Sequence, residues 1–206
     1  MGYLDFAALE QAPAVTDPFE YVVVSDFIIG SQHSTVIENF PDIRQGGSYP
    51  LSNLDLTQNF QDLIDELDSP AFQSAIERKF NIDLSGKPKL FSLRGICRKK
   101  DGRIHTDSKD KIITVLLYIN EDWTATGGRL RLLKSNNLDD YVDEIAPDAG
   151  KLLIFRRSDN SLHGHAPFEG KRCSIQLNWL TTDNRKHFQT MRHRFSALLK
   201  KLTGRG

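Results

Sequence analysis

Cysteine is scarce in this chain. Only Cys97 and Cys173 occur in 206 residues, and neither stands in a CxxC or other zinc-binding spacing. A pairing of the two is conceivable, but free thiols are expected for an intracellular chain. No apolar run approaches the roughly 18 residues that a membrane-spanning helix needs. The opening MGYLDFAALEQAPAVTDPF lacks a basic segment followed by an apolar one, so no secretory signal is expected and the expected setting is cytoplasmic. The chain also lacks an HExxH motif, an internal repeat and a low-complexity tract. Net charge is absent too, with 27 basic against 27 acidic residues. That balance argues against a broad electrostatic footprint, and no nucleic-acid partner is expected.

What is present is the composition of an ordinary globular protein, 39% hydrophobic and 26% charged. The length suits one domain with a sizeable core. The charge is uneven, however. From Thr182 onward Arg185, Lys186, Arg192, Arg194, Lys200, Lys201 and Arg205 face Asp183 alone, which leaves an acidic main body and a basic tail. In that tail Phe188, Met191, Phe195, Leu198, Leu199 and Leu202 recur at helical spacing. A basic amphipathic helix is therefore expected over 182–206, docking on its own domain or a second subunit, with weak contact to a membrane surface as a further expectation.

The remainder divides into a helical part and a β part. Leu4–Gln11, His33–Phe40, Asn59–Leu67 and the segment after Ser69-Pro70 carry helical spacing or helix-start signals. TDPFEYVVVSDFI reads as a strand, and DIRQGGSYPLSNLDL as a loop able to approach a pocket. From Lys89 onward come KLFSLRGICR, KIITVLLYIN, GRLRLL, KLLIF and CSIQLNWL, short β-branched runs bounded by turn residues. The expected class is α+β, mainly β: one domain over 1–181, with helical support in 1–88 and a double-stranded β-helix (jelly-roll) core in 89–181.

Four residues organise the β part. His105 and Asp107 are two apart, the spacing that places both on one face of an extended strand. His163 follows an apolar run, in the turn-rich SDNSLHGHAPFEGKR, and Arg172 begins RCSIQLNW. Two imidazoles and one carboxylate, with positions left open, form the facial triad that suits non-haem Fe(II). The pattern is open to blander readings: HxD as a solvated loop pair, and either His163 or His165 as a surface residue. Arg172 sharpens it, because a fixed guanidinium fork matches a carboxylate. Alternation places Arg172, Ser174, Gln176 and Asn178 on one strand face, which makes sense if that face lines a cavity. Thr114, Leu116 and Tyr118 likewise share a face, so the Tyr118 hydroxyl needs a buried partner: a ligand carboxylate or the backbone.

HTD, ITVLLYINEDW, GGRLRLL, the Pro147–Gly150 turn, KLLIF and SLHGHAPFEGKR, in that order, resemble the Fe(II)- and 2-oxoglutarate-dependent dioxygenases, and within them the prolyl-hydroxylase branch. The resemblance implies that His105, Asp107 and His163 ligate iron. It implies that Arg172 and Tyr118 hold the 2-oxoglutarate C5 carboxylate, and that Gln176 and Asn178 face the pocket, Gln176 at the cosubstrate. His163 rather than His165 matches the family's H-x-x-x-P, which leaves His165 as a residue that supports the ligands or contacts substrate or, the favoured expectation, as a surface histidine. The implied cofactors are Fe(II), 2-oxoglutarate and O2, with ascorbate as reductant. The implied reaction hydroxylates an unactivated C–H bond of a peptidyl residue or small molecule and releases succinate and CO2. Related halogenases carry a small residue at the position of Asp107, so a carboxylate there implies hydroxylation. The competing expectations are a non-catalytic jelly-roll module that binds a metal or ligand and, behind it, a Zn(II) hydrolase on the same ligands. Arg98, Lys99, Lys100, Arg103, Arg156 and Arg157 flank the two histidine segments. They suggest an acidic or phosphorylated substrate, or else a solvated face paired with Asp101, Asp110 and Asp159.

Overall fold

The computed structural model of the chain describes residues 2–181. The expected tail helix over 182–206 lies outside the described residues. Helix α1 spans Phe6–Gln11, strand β1 Tyr21–Val24, α2 His33–Glu38, β2 Tyr49–Pro50, α3 Gln58–Asp68 and α4 Pro70–Phe80. The β part follows as β3 Lys89–Cys97, β4 Lys111–Tyr118, β5 Leu130–Leu133, β6 Tyr141–Ile145, β7 Leu152–Arg156, β8 His163–His165 and β9 Gly170–Leu180. Among the described residues no helix is long and apolar enough to cross a membrane.

The start and stop signals of α3 and α4 are local. Thr57 Oγ1 accepts from Phe60 N at 3.3 Å and Ser69 Oγ from Phe72 N at 3.2 Å, each satisfying a free amide of the first turn. Pro70 occupies the first turn of α4, where its missing N–H costs nothing, and Asn81 ends the helix in the left-handed conformation. The spacing of Phe60, Leu63, Ile64 and Leu67 on α3, and of Phe72, Ile76 and Phe80 on α4, gives each helix one buried stripe.

The strands form two antiparallel sheets. One has six strands in the order β1-β7-β4-β9-β3-β2, and the other has three in the order β6-β5-β8. The helices cover one face of the large sheet, where Phe72, Ile76 and Leu63 share a core with Val115, Leu117, Ile175, Leu177 and Trp179. The small sheet covers the other face, where Leu130, Leu132 and Ile145 meet Tyr118, Leu153 and Phe155. The fold is thus mainly β with helices outside it, as the patterning predicts.

Three local expectations differ from the structure. The strand expected over TDPFEYVVVSDFI shrinks to Tyr21–Val24, because its partner β7 offers only five residues and pairing ends with it. HxD does not lie on a regular strand; His105 makes an isolated bridge to His163, with both backbone N–H to O distances at 3.0 Å. His163 itself lies in β8 rather than in a turn. DIRQGGSYPLSNLDL is mostly loop, with Tyr49–Pro50 paired at the sheet edge and Ser48 on a cavity wall.

Candidate active site

Between the sheets lies a cavity of about 500 Å³. Its floor is the polar face of the large sheet: Ser92 and Arg94 from β3, Thr114 and Tyr118 from β4, and Arg172, Ser174, Gln176 and Asn178 from β9. The alternation read from RCSIQLNW holds, since Cys173, Ile175 and Leu177 point into the helical core. His105, Asp107 and His163 line the same cavity.

One ligand atom from each of His105, Asp107 and His163 lies within 4.8 Å of the others. His105 is exposed at the mouth, and Asp107 and His163 are buried. Each histidine faces a backbone carbonyl through Nδ1: His105 that of Arg103 at 2.8 Å and His163 that of Ser161 at 2.9 Å. A carbonyl only accepts, so both Nδ1 atoms carry the proton and both Nε2 lone pairs are left for a metal. The bridge between the two backbones sets the rings 4.4 Å apart, centroid to centroid.

Burial pushes the His163 imidazole down to about 4, only partly opposed by the Asp107 charge. Its neutral form, the one that ligates metals, is therefore dominant at pH 7. For Asp107 burial works upward, but the Lys111 and His163 charges and the hydrogen bonds from Lys111 and Thr114 hold its carboxyl below the ordinary carboxylate range. Lys111 Nζ meets Oδ1 at 2.8 Å and Thr114 Oγ1 donates to Oδ2 at 2.6 Å. Arg157 Nε donates to the Asp107 carbonyl at 3.1 Å, fixing the backbone behind the carboxylate. Two imidazole nitrogens and a carboxylate oxygen, preset in this way, fit a divalent transition metal such as Fe(II).

Arg172 is buried, and its Nε donates to the Gly128 carbonyl at 2.8 Å and its Nη2 to the Tyr118 hydroxyl at 3.3 Å. Among the described residues no carboxylate pairs with it. A buried charge left without a counter-charge costs on the order of several kcal/mol, so this guanidinium is set to receive an anion. Its neighbour Tyr118 is fully buried, and among the described residues its hydroxyl meets the Arg172 guanidinium rather than the backbone group that the sequence offered as one partner. Gln176, expected at the cosubstrate, lines the cavity and donates to Asn178 Oδ1 at 3.3 Å; Asn178 Oδ1 in turn lies 3.0 Å from Thr114 Oγ1.

His165 corrects an expectation. It is buried on the cavity wall rather than at the surface, with Nδ1 facing the Ala166 carbonyl at 2.8 Å and Nε2 3.9 Å from Cys97 Sγ. It lies outside the metal-capable group. The room comes from Gly102, where a Cβ would stand 2.2 Å from the His165 ring. The basic residues flanking the site also divide. Arg98 is held by Asp101, Arg156 by Glu20 and Arg157 by Asp159, whereas Lys100 and Arg103 line the cavity. Lys111 and Arg94 went unremarked in the sequence, although alternation of Leu90, Ser92 and Arg94 along KLFSLRGIC was the signal that marks Arg94.

The comparisons agree with this geometry. The family model described as the 2OG-Fe(II) oxygenase superfamily matches residues 96–180. Among solved structures the chain is similar to a Pseudomonas putida prolyl-4-hydroxylase, at 18% identity and TM-score 0.56, covering 85% of this chain and 97% of that one. It is similar to the viral collagen prolyl hydroxylase of Paramecium bursaria Chlorella virus-1, solved as a 2OG complex, at 13% identity and TM-score 0.56, covering 81% and 99%. A Trichoplax adhaerens prolyl hydroxylase, solved with a hypoxia inducible factor oxygen degradation domain peptide fragment, matches at 18% identity and TM-score 0.52, covering 84% and 87%. At such identities these structures speak for the fold. No curated protein matches the sequence significantly. The β core over residues 96–180 thus matches the 2OG-Fe(II) oxygenase superfamily, and the chain as a whole has a fold similar to that of the prolyl hydroxylases.

Proposed function

We propose that the protein hydroxylates an unactivated C–H bond of a peptidyl residue or small molecule, with loss of 2-oxoglutarate as succinate and CO2. In this reading residues 1–181 are a single oxygenase domain, and the two sheets are the halves of a jelly roll. His105, Asp107 and His163 hold Fe(II), Arg172 and Tyr118 hold the C5 carboxylate of 2-oxoglutarate, and Gln176 lines the cosubstrate's path. The observation that carries the reading is the buried Arg172, without an acidic partner among the described residues, in the same cavity as the His-Asp-His cluster. A site that held only a metal has no need of that guanidinium.

When bound, Fe(II) supplies the activation of O2 that a C–H bond requires. The chain's own residues do the positioning. The carbonyls of Arg103 and Ser161 fix the tautomers of His105 and His163. Thr114 and Lys111 keep Asp107 ionised and aimed. The Gly128 carbonyl and the Tyr118 hydroxyl orient the Arg172 fork toward the incoming carboxylate. Leu116 and Leu130 add apolar wall and limit water around the reacting groups.

The test is a calorimetric titration of 2-oxoglutarate with and without Mn(II), a redox-inert stand-in for Fe(II). Saturable binding at one equivalent that requires the metal and is lost in Arg172→Gln is expected. Binding that ignores the metal, or that survives in Arg172→Gln, overturns the reading.

A further inference from the structure

Arg94 is the second arginine of the cavity. It follows Leu90 and Ser92 on the cavity face of β3, opposite Ser174 of β9 and so beside the strand that carries Arg172. Its guanidinium makes no hydrogen bond and no ion pair with any described residue. Burial works to lower its pKa, the Asp101 charge draws it back up, and the Arg172 charge adds to the lowering. Two arginines therefore repel each other across one cavity, and neither has a carboxylate in contact among the described residues.

The negative charge of Asp101 and Asp107 is already committed. Asp101 receives Arg98 at both side-chain oxygens, at 2.9 and 3.1 Å, and Asp107 is held by Lys111 and Thr114. Lys100 and Arg103 add two exposed cations to the cavity lining. The cosubstrate's distal carboxylate answers Arg172, and its other carboxylate belongs at the metal. Arg94 is left over.

We propose that Arg94 binds an oxyanion, a carboxylate or a phosphate, carried by the primary substrate, so that the molecule hydroxylated here is anionic. The proposal rests on the oxygenase reading above and deepens it. A fork on a strand, rather than on a loop, holds such a group at a fixed distance and orientation relative to the His-Asp-His cluster. Lys100 and Arg103 would raise the local concentration of anionic molecules at the mouth in a salt-sensitive way.

The experiment uses the full chain loaded with Mn(II) and saturated with 2-oxoglutarate. Phosphorus NMR relaxation of inorganic phosphate and carbon NMR relaxation of labelled acetate report any anion held near the paramagnetic ion. The parent protein should relax at least one probe, and which one it relaxes distinguishes phosphate from carboxylate chemistry. Arg94→Gln should weaken that binding roughly tenfold or more, the usual loss for a charge-assisted contact. Arg94→Lys should retain part of it. The 2-oxoglutarate affinity of both variants should stay within about twofold of the parent, an energy difference well under that of one hydrogen bond. The proposal is overturned if Arg94→Gln weakens 2-oxoglutarate as much as Arg172→Gln does, since Arg94 is then part of the cosubstrate site. It is equally overturned if neither probe is relaxed, or if relaxation is the same in both Arg94 variants and the parent. Absence of metal-dependent 2-oxoglutarate binding in the parent is a separate result, which removes the oxygenase reading and the proposal with it.

Discussion

Thr114 Oγ1 lies 2.6 Å from Asp107 Oδ2, donating to the oxygen that Lys111 leaves free. The contact links β4 to the loop carrying the carboxylate and fixes which way that carboxylate faces. Thr114→Val keeps the shape and removes the donor. It should lower metal affinity by about tenfold, the lower end of what such supporting contacts carry, and Thr114→Ser should restore most of it. Equilibrium metal titration checks both. Unchanged affinity in the valine variant would mean Lys111 alone orients Asp107.

The Tyr118 hydroxyl accepts from Arg172 Nη2 at 3.3 Å. Tyr118→Phe should raise the KM for 2-oxoglutarate about tenfold with little change in kcat, because it removes a hydrogen bond to a group distant from the reacting atoms. A fall in kcat at unchanged KM would place Tyr118 nearer the chemistry than the reading allows.

The depressed His163 pKa has a consequence for stability. Between about 4 and the ordinary value of 6.5 the unfolded chain binds a proton at this residue that the folded chain refuses. Stability of the metal-free protein therefore rises with pH across that window and is lost as pH falls through it, by on the order of 3 kcal/mol at the lower end. Asp107 acts in the same direction further down, since a carboxyl held below its ordinary pKa loses its contribution only as it protonates. Urea unfolding at a series of pH values should show the loss below pH 6.5, and His163→Asn should flatten it in that window. An equal slope in both proteins would contradict the assignment.

Much of this was legible in the sequence because each feature rests on a local rule. The two-residue alternation of β9 places Arg172, Gln176 and Asn178 on the cavity face, and Ser69-Pro70 begins α4. The short strands β6 and β8 were not legible. YVDEI carries acidic residues that β-propensity disfavours, and HGH has no β-branched residue at all. Tertiary pairing with β5 makes both of them strands. Burial of His165 was hidden for a similar reason, since it depends on the space left by Gly102, sixty-odd residues earlier in the chain.

Gly164 follows from that close approach. A Cβ there would stand 2.9 Å from the Gly102 carbonyl oxygen and 3.2 Å from Ile104 Cα, both backbone atoms that cannot rotate away. Gly164→Ala should push β8 off the segment carrying His105, lowering stability by about 1–3 kcal/mol and weakening metal binding. Thermal unfolding with and without Mn(II) measures both effects. An unaltered melting temperature would show that the two segments separate at no cost.

The central claim is turnover of 2-oxoglutarate at this one cavity. Anaerobically purified protein given Fe(II), ascorbate and 2-oxoglutarate, then O2, should release succinate even without its true substrate. His163→Ala and Arg172→Ala should abolish that release. Succinate formation no greater in the parent than in those two variants would contradict the account and favour a module that binds its ligand without converting it.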